Sequence, residues 1–197
     1  HHWYATACLT PQGRLDEALE QLLLAESLDP VSSIIARDVA FAHYYKRDLD
    51  AALDQCDHTI ELNPHFSGAY WTLGLIQERR KEFDEAEAAF KRAGHLSPHS
   101  TRMKAALARV YAATDRQKAA RDVLAEFEAL SATRYVPAFD FASVYLALRQ
   151  TGPGFRWLAK AAEERNFELM SIKVDPRLDA FRSDRRYVAI LRQMGLD

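Results

Sequence analysis

"SLDPVSS" at Ser27–Ser33, "ELNPHFS" at Glu61–Ser67 and "HLSPHST" at His95–Thr101 are three versions of one signal. Their prolines, Pro30, Pro64 and Pro98, lie 34 residues apart at both steps. Proline cannot continue a helix, and it pushes the residue before it out of the helical region. A Ser or Thr follows each proline within a few positions and can cap a new helix. Each stretch therefore reads as a helix stop followed by a helix start.

Between the prolines the apolar spacing is helical rather than alternating. Tyr70, Leu73, Gly74 and Ile76 mark one helix within Ser67–Arg80. After the polar break "RRKEFD", Phe83, Ala86, Ala89, Phe90 and Ala93 mark a second. The unit is thus a pair of helices joined by a tight turn. Gly74 and Ala86 are expected where the two helices cross, because a large side chain there would push them apart.

Self-similarity at this period is the signature of a helical repeat array. The pattern resembles the tetratricopeptide repeat. The best unit carries Tyr70, Leu73, Gly74, Ala86, Phe90, Ala93 and Pro98. The unit before it has Ala36, Val39, Ala40, Ala52 and Pro64, with Cys56 in place of the usual aromatic. A shortened first unit keeps Ala18, Leu22, Ala25 and Pro30. The fourth has Leu107, Ala108, Tyr111, Ala120 and Leu124, lacks the closing proline and runs long through "LSATRYVP". The fifth has Phe141, Ala142, Tyr145, Leu158 and Ala161, with Gly154 for the usual alanine. The resemblance covers about residues 1–166. It implies an all-α, right-handed superhelical solenoid of antiparallel helix pairs. The expected units are 1–31, 32–65, 66–99, 100–134 and 135–168, with a C-terminal cap over 169–197. Two departures are expected: Pro11 should end the first helix early, and "RQTGPGF" should loosen the turn inside the fifth unit.

Composition agrees with a packed array. Apolar residues make up 48% and charged residues 27% of the 197, which suits a folded core. The formal net charge is −2, from 26 basic and 28 acidic groups, a poor basis for phosphate neutralisation. No apolar run approaches the roughly 20 residues that span a bilayer. The chain opens at His1 inside a helical pattern, which reads as a piece of a longer protein. The compartment is left open: cytoplasmic by default, periplasmic if a membrane helix lies upstream. Cys8 and Cys56 have no metal spacing and read as buried or half-buried thiols.

No catalytic, cofactor or metal set is legible. The seven histidines form no H-E-x-x-H, and Cys56 and His58 do not share a helix face. "TGPGF" lacks the lysine and preceding strand of a phosphate loop. The acidic runs "LDEALE" and "FDEAEAAF" sit at helix starts, where carboxylates meet the helix dipole favourably.

Function is therefore expected on the concave surface that stacked helix pairs create. The residues flanking the core positions of the inner helices are Trp3; Arg37, Phe41, Tyr44 and Tyr45; Trp71, Leu75 and Glu78; Arg102 and Arg109; and Phe139, Asp140 and Ser143. Aromatics and arginines are the types enriched at binding hot spots. This set suits an extended peptide or amphipathic helix with an acidic portion. A metabolite bound in the groove is the alternative. The family variant that grips a terminal carboxylate uses Lys and Asn on these helices, and no such set is present.

The last stretch, "KVDPRLDAFRSDRRYVAILRQMGLD" (Lys173–Asp197), carries six basic residues. Tyr187, Ile190, Leu191 and Met194 form one stripe of a final helix that could cover the open end of the array. Arg177, Arg182, Arg185, Arg186 and Arg192 are expected mostly on its outer face, against Asp175, Asp179 and Asp184. The stretch also resembles the end of repeat regions in large bacterial signalling proteins, which implies a docking or sensory segment; separately, the shortened first unit exposes an apolar helix face that could pair with a second copy in a homodimer.

Overall fold

The computed structural model describes residues 1–197 and is all-α, without strands. Helix α1 runs end to end through His2–Tyr4, a π-helical stretch at Ala5–Leu9, and Thr10–Gln12. It is followed by α2 (Leu15–Leu28), α3 (Ser33–Lys46), α4 (Leu49–Leu62), α5 (Ser67–Arg80) and α6 (Phe83–Leu96). Then come α7 (Thr101–Ala113), α8 (Gln117–Ser131), α9 (Ala138–Ala147) and α10 (Thr151–Glu163). Two 3₁₀ turns, Phe167–Ser171 and Pro176–Phe181, lead to α11 (Arg185–Gln193). Each odd helix packs against the even helix after it, and neighbouring pairs stack into one solenoid.

The turn inside each pair is the most regular feature of the backbone. Gly13, Arg47, Lys81, Asp115 and Arg149 all have positive φ, from 59° to 81°, and they recur every 34 residues. After each, an amide reaches back five residues: Arg14 to Leu9, Asp48 to His43, Glu82 to Gln77, Arg116 to Tyr111 and Gln150 to Tyr145, at 2.9–3.1 Å. This is the left-handed helix cap that satisfies otherwise orphaned carbonyls. Four of the five positions are not glycine, and left-handed backbone costs an L-residue roughly 1–2 kcal/mol. The hydrogen bonds and the packing of each pair offset that cost.

Both expected departures are corrected by this geometry. "RQTGPGF" does not loosen the fifth turn: Arg149 closes it like the others, and α10 starts at Thr151. Pro153 lies in its first turn, where a missing N–H leaves no bond unmade. Gly154 is required there, because a Cβ would lie 2.6 Å from Leu146 Cδ2. Helix α1 runs through Pro11 to Gln12, and Gly13 stops it. The π-helical stretch widens the turn just before the proline, with the Thr10 amide bonded to the Ala5 carbonyl five residues back. The wider turn gives the ring room against the preceding carbonyls, where a regular helix would clash. The long "TRYVP" connection shortens α9 at its start instead of shifting the period.

Small residues set the spacing of the pairs. A Cβ on Gly74 would lie 2.4 Å from Phe90 Cε1, so the glycine makes room for the fully buried Phe90 ring. Ala18, Ala52, Ala86 and Ala120, again 34 apart, are all fully buried. Cys56 is buried, donates to the Ala69 carbonyl at 3.2 Å, and has its thiol pushed up to about 12 by burial. Cys8, by contrast, is exposed, which corrects the expectation that both thiols are buried or half-buried.

Candidate functional site

The odd helices line the inner face, and their aromatics meet there. Phe41 stacks on Tyr45 at 5.6 Å, lies edge-on to Tyr44 at 6.3 Å, and tilts against Trp71 at 5.4 Å. Arg102 sits over Trp71 at 4.8 Å and Arg37 over Phe41 at 5.7 Å. Such faces attract a guanidinium through the ring quadrupole.

The chain's own C-terminal segment lies across this face. After Glu163 the backbone turns at Arg165 (φ 52°), and residues 167–182 run back past the inner helices. Glu168 pairs with Arg102 of α7. Arg47, at the end of α3, donates to the Val174 carbonyl at 2.9 Å and to Asp179 at 2.6 Å. Arg79 of α5 reaches Asp179 at 3.2 Å. Leu169, Ile172 and Leu178 are buried in one cluster with Phe139, Ala142, Leu158 and Tyr187. The Tyr187 hydroxyl donates to the Ile172 carbonyl at 2.7 Å, tying the segment to α11.

Arg177 corrects the expectation that the tail arginines point outward. Its side chain is only 11% exposed and lies between aromatic faces, 5.7 Å from the Trp71 centroid and 5.0 Å from that of Phe139. Asp175 accepts from it at 2.6 Å and Glu168 at 3.2 Å. Burial works against the charge, but Asp175 and Glu168 outweigh it and raise the guanidinium pKa. The local Asp175–Arg177 pairing is as the spacing suggests; the chain reversal carries the pair inside. Arg186 with Asp184, and Arg182 with Asp179, remain at the surface or partly so.

The segment divides the inner face in two. On the N-terminal side a cavity of about 210 Å³ stays open, lined by Trp3, Arg37, Phe41, Tyr45, Trp71 and Arg102 from the sequence-derived set. His2, Asp38, Ile34, Phe167, Glu168 and Met170 also line it. On the other side a polar space of about 610 Å³ is lined by Glu78, Arg109, Phe139 and Ser143, with Arg149 and Arg177.

Several residues of the set are largely buried, including Phe139 and Arg109, which line the second space. Tyr44 and Leu75 are core side chains, at 2% and 1% exposure. Phe139 is buried under Arg177 and Leu178. Arg109 is buried in a two-bond pair with Glu78, at 3.0 and 2.7 Å. Asp140 is buried with Oδ2 unpartnered. Burial pushes its carboxyl up to about 6; the Thr101 hydroxyl and Arg102 and Arg109 oppose that, and Glu168 adds to it.

The paired helices, the 34-residue turn and the concave inner face define an all-α repeat solenoid. Residues 78–129 match the family model described as tetratricopeptide repeat. A tetratricopeptide repeat protein from Parabacteroides merdae ATCC 43184 superposes with a TM-score of 0.62 at 14% identity, over 95% of this chain and 79% of that one. A thermophilic TPR protein in Thermus thermophilus does so with a TM-score of 0.62 at 21% identity, over 91% and 92%. No curated protein matches the chain. No helix is long and apolar enough to cross a membrane.

Proposed function

We propose that the protein is a non-catalytic interaction module that holds a segment of a partner protein at the N-terminal half of its concave face. The observation that carries this reading is the open aromatic cavity between α1, α3 and the Phe167–Ser171 turn, with exposed apolar side chains at its mouth. Trp3 is 76% exposed, Phe167 72% and Ile34 50%. Exposed apolar groups beside a preformed pocket are the usual ground for a hot spot, an anchor side chain entering a desolvated site. Repeat proteins as a class use such concave surfaces to bind other proteins. The tail's likeness to the ends of repeat regions in bacterial signalling proteins supports a docking role within a larger regulator.

The test is selection of peptides from a displayed random library, followed by binding to Ile34→Asp and Phe167→Asp variants. Both positions are exposed, so helical content and melting should be unchanged. Affinity should fall at least tenfold in each. Selected peptides that bind both variants as tightly as the parent would place the surface elsewhere. A metabolite sensor is favoured instead if small molecules raise the melting temperature and no peptide is recovered.

A further inference from the structure

We propose that the open cavity recognises a ring-sized apolar group with a carboxylate close beside it. This rests on the interaction reading above and specifies the chemistry of the group inserted. Size sets the first limit. A cavity of about 150 Å³ takes a benzene, while drug-sized ligands need roughly 300 Å³ or more. The cavity here, about 210 Å³, fits one ring or one branched side chain.

The polar groups set the second limit. Trp71 is 5% exposed and its indole Nε1–H has no partner, although the residue lines the cavity. The nitrogen itself is fully buried, so Trp71 offers the cavity its ring, and its N–H serves as a reporter of what enters. The ion pairs on the wall are turned the same way. In Arg37–Asp38 the guanidinium is 26% exposed and the carboxylate 11%; in Arg102–Glu168 the values are 38% and 10%. Asp38 is also held by His2 at 2.6 Å, and Glu168 by Arg177. The carboxylates are thus shared between two donors and turned inward, while the cations face solvent. An incoming carboxylate can share Arg37 or Arg102 as a charge-assisted acceptor. An incoming cation meets the opposite case. The Phe41 and Trp71 rings already carry Arg37 and Arg102 over them, so an ammonium group would find those faces occupied and like charges beside it.

The same chemistry could come from an aromatic residue next to an acidic one in a partner, or from a free aryl acid. Both are separated by following the Trp71 indole N–H by two-dimensional ¹⁵N–¹H NMR during four titrations. The probes are phenylacetate, phenethylamine, acetyl-Phe-Glu-amide and acetyl-Phe-Lys-amide. An acidic probe should shift the Trp71 signal and bind at least tenfold more tightly than its basic counterpart. Arg102→Gln, at a partly exposed position, should reduce that preference to about twofold with folding intact. Response to the peptide alone, or to both acids, assigns the site to a protein partner. Response to phenylacetate alone keeps the ring-plus-carboxylate chemistry and overturns the protein-partner reading. Equal or tighter binding of the basic probes overturns the inference. So does silence of the Trp71 signal with all four, even if library peptides bind at Ile34 and Phe167.

Discussion

The two halves of the inner face are built from the same helices but are used differently. In the C-terminal half the chain supplies its own occupant: Leu169, Ile172 and Leu178 fill the space beside Phe139, and Arg177 is held between carboxylates and rings. A polar space of about 610 Å³ is left there, whereas in the N-terminal half Phe41, Tyr45 and Trp71 line a smaller, more aromatic cavity of about 210 Å³. The contrast shows how a solenoid, in which each unit ordinarily touches only its neighbours, gains long-range ties. Arg47 and Asp179 are 132 residues apart in sequence and 2.6 Å apart in space. Magnitudes bear on whether the segment is a lid or a fixed part of the core. Burying a large apolar side chain contributes about 1.5–3 kcal/mol. Leu169, Ile172, Val174, Leu178, Tyr187 and Ile190 together then contribute roughly 9–18 kcal/mol, an upper bound. Ordering the segment costs conformational entropy of similar size, so what decides is that all of these side chains but Val174 share one continuous core with Phe139, Leu158 and Ala161 of α9 and α10. The segment is therefore a permanent wall of the remaining cavity.

The largest break in this contrast is removal of residues 167–197. The loss of roughly 9–18 kcal/mol of burial should leave α9 and α10 unfolded or the protein insoluble, judged by circular dichroism and solubility. A soluble protein with full helicity in α9 and α10 would show that the segment is dispensable. Gly74→Ala strikes beneath the open half. Its Cβ would overlap Phe90, so chemical denaturation should show a loss of about 1–3 kcal/mol, and an unchanged midpoint would contradict the close crossing.

Asp140→Asn probes the boundary between the halves. The Asp140 carboxyl is raised from 3.8 to about 6 by burial, so the folded state holds a proton that the unfolded state releases. Stability from this group is present below about pH 4 and is lost as pH rises toward 6. The Asn variant should be more stable than the parent by about 3 kcal/mol at pH 7.5, with the difference vanishing near pH 4. A parent and variant with parallel pH profiles would sink that assignment. The smallest effect is expected from Arg79→Ala, which removes one partly exposed arm of the Asp179 clasp while Arg47 remains. It should cost about 0.2–1 kcal/mol, less in high salt, by denaturant titration. A larger loss would mean that the clasp carries more of the closure than the apolar contacts do.

The repeat was legible because its signal is local. Pro30, Pro64 and Pro98 mark the period, and the apolar spacing around Gly74 and Phe90 identifies the paired helices. Where proline is missing, in the last two units, the turns at Asp115 and Arg149 keep the same period through backbone hydrogen bonds that no residue type announces. The aromatic face was legible in part. Phe41, Tyr45 and Trp71 do line the cavity, since helix periodicity assigns their side. Tyr44 and Leu75 sit one position toward the core, a rotation too small for spacing to resolve. Arg177, Asp179, Arg47 and Glu168 were not readable as groove residues. Their partners lie far along the chain, and only the reversal after Arg165 brings them together. The local Asp175–Arg177 and Asp184–Arg186 pairings suggest a neutralised surface and do not reveal which pair is buried.

The central claim is that residues 167–182 are a fixed wall of the inner face. Hydrogen exchange of the amides of Leu169, Ile172, Val174 and Asp175 tests it most directly, since each donates a backbone hydrogen bond, to Asn166, Leu169, Ser171 and Ser171 respectively. Protection should equal that of α9 and α10, so that these amides exchange only by global unfolding. Exchange within seconds, at the rate of a frayed terminus while α9 and α10 remain protected, would contradict the account.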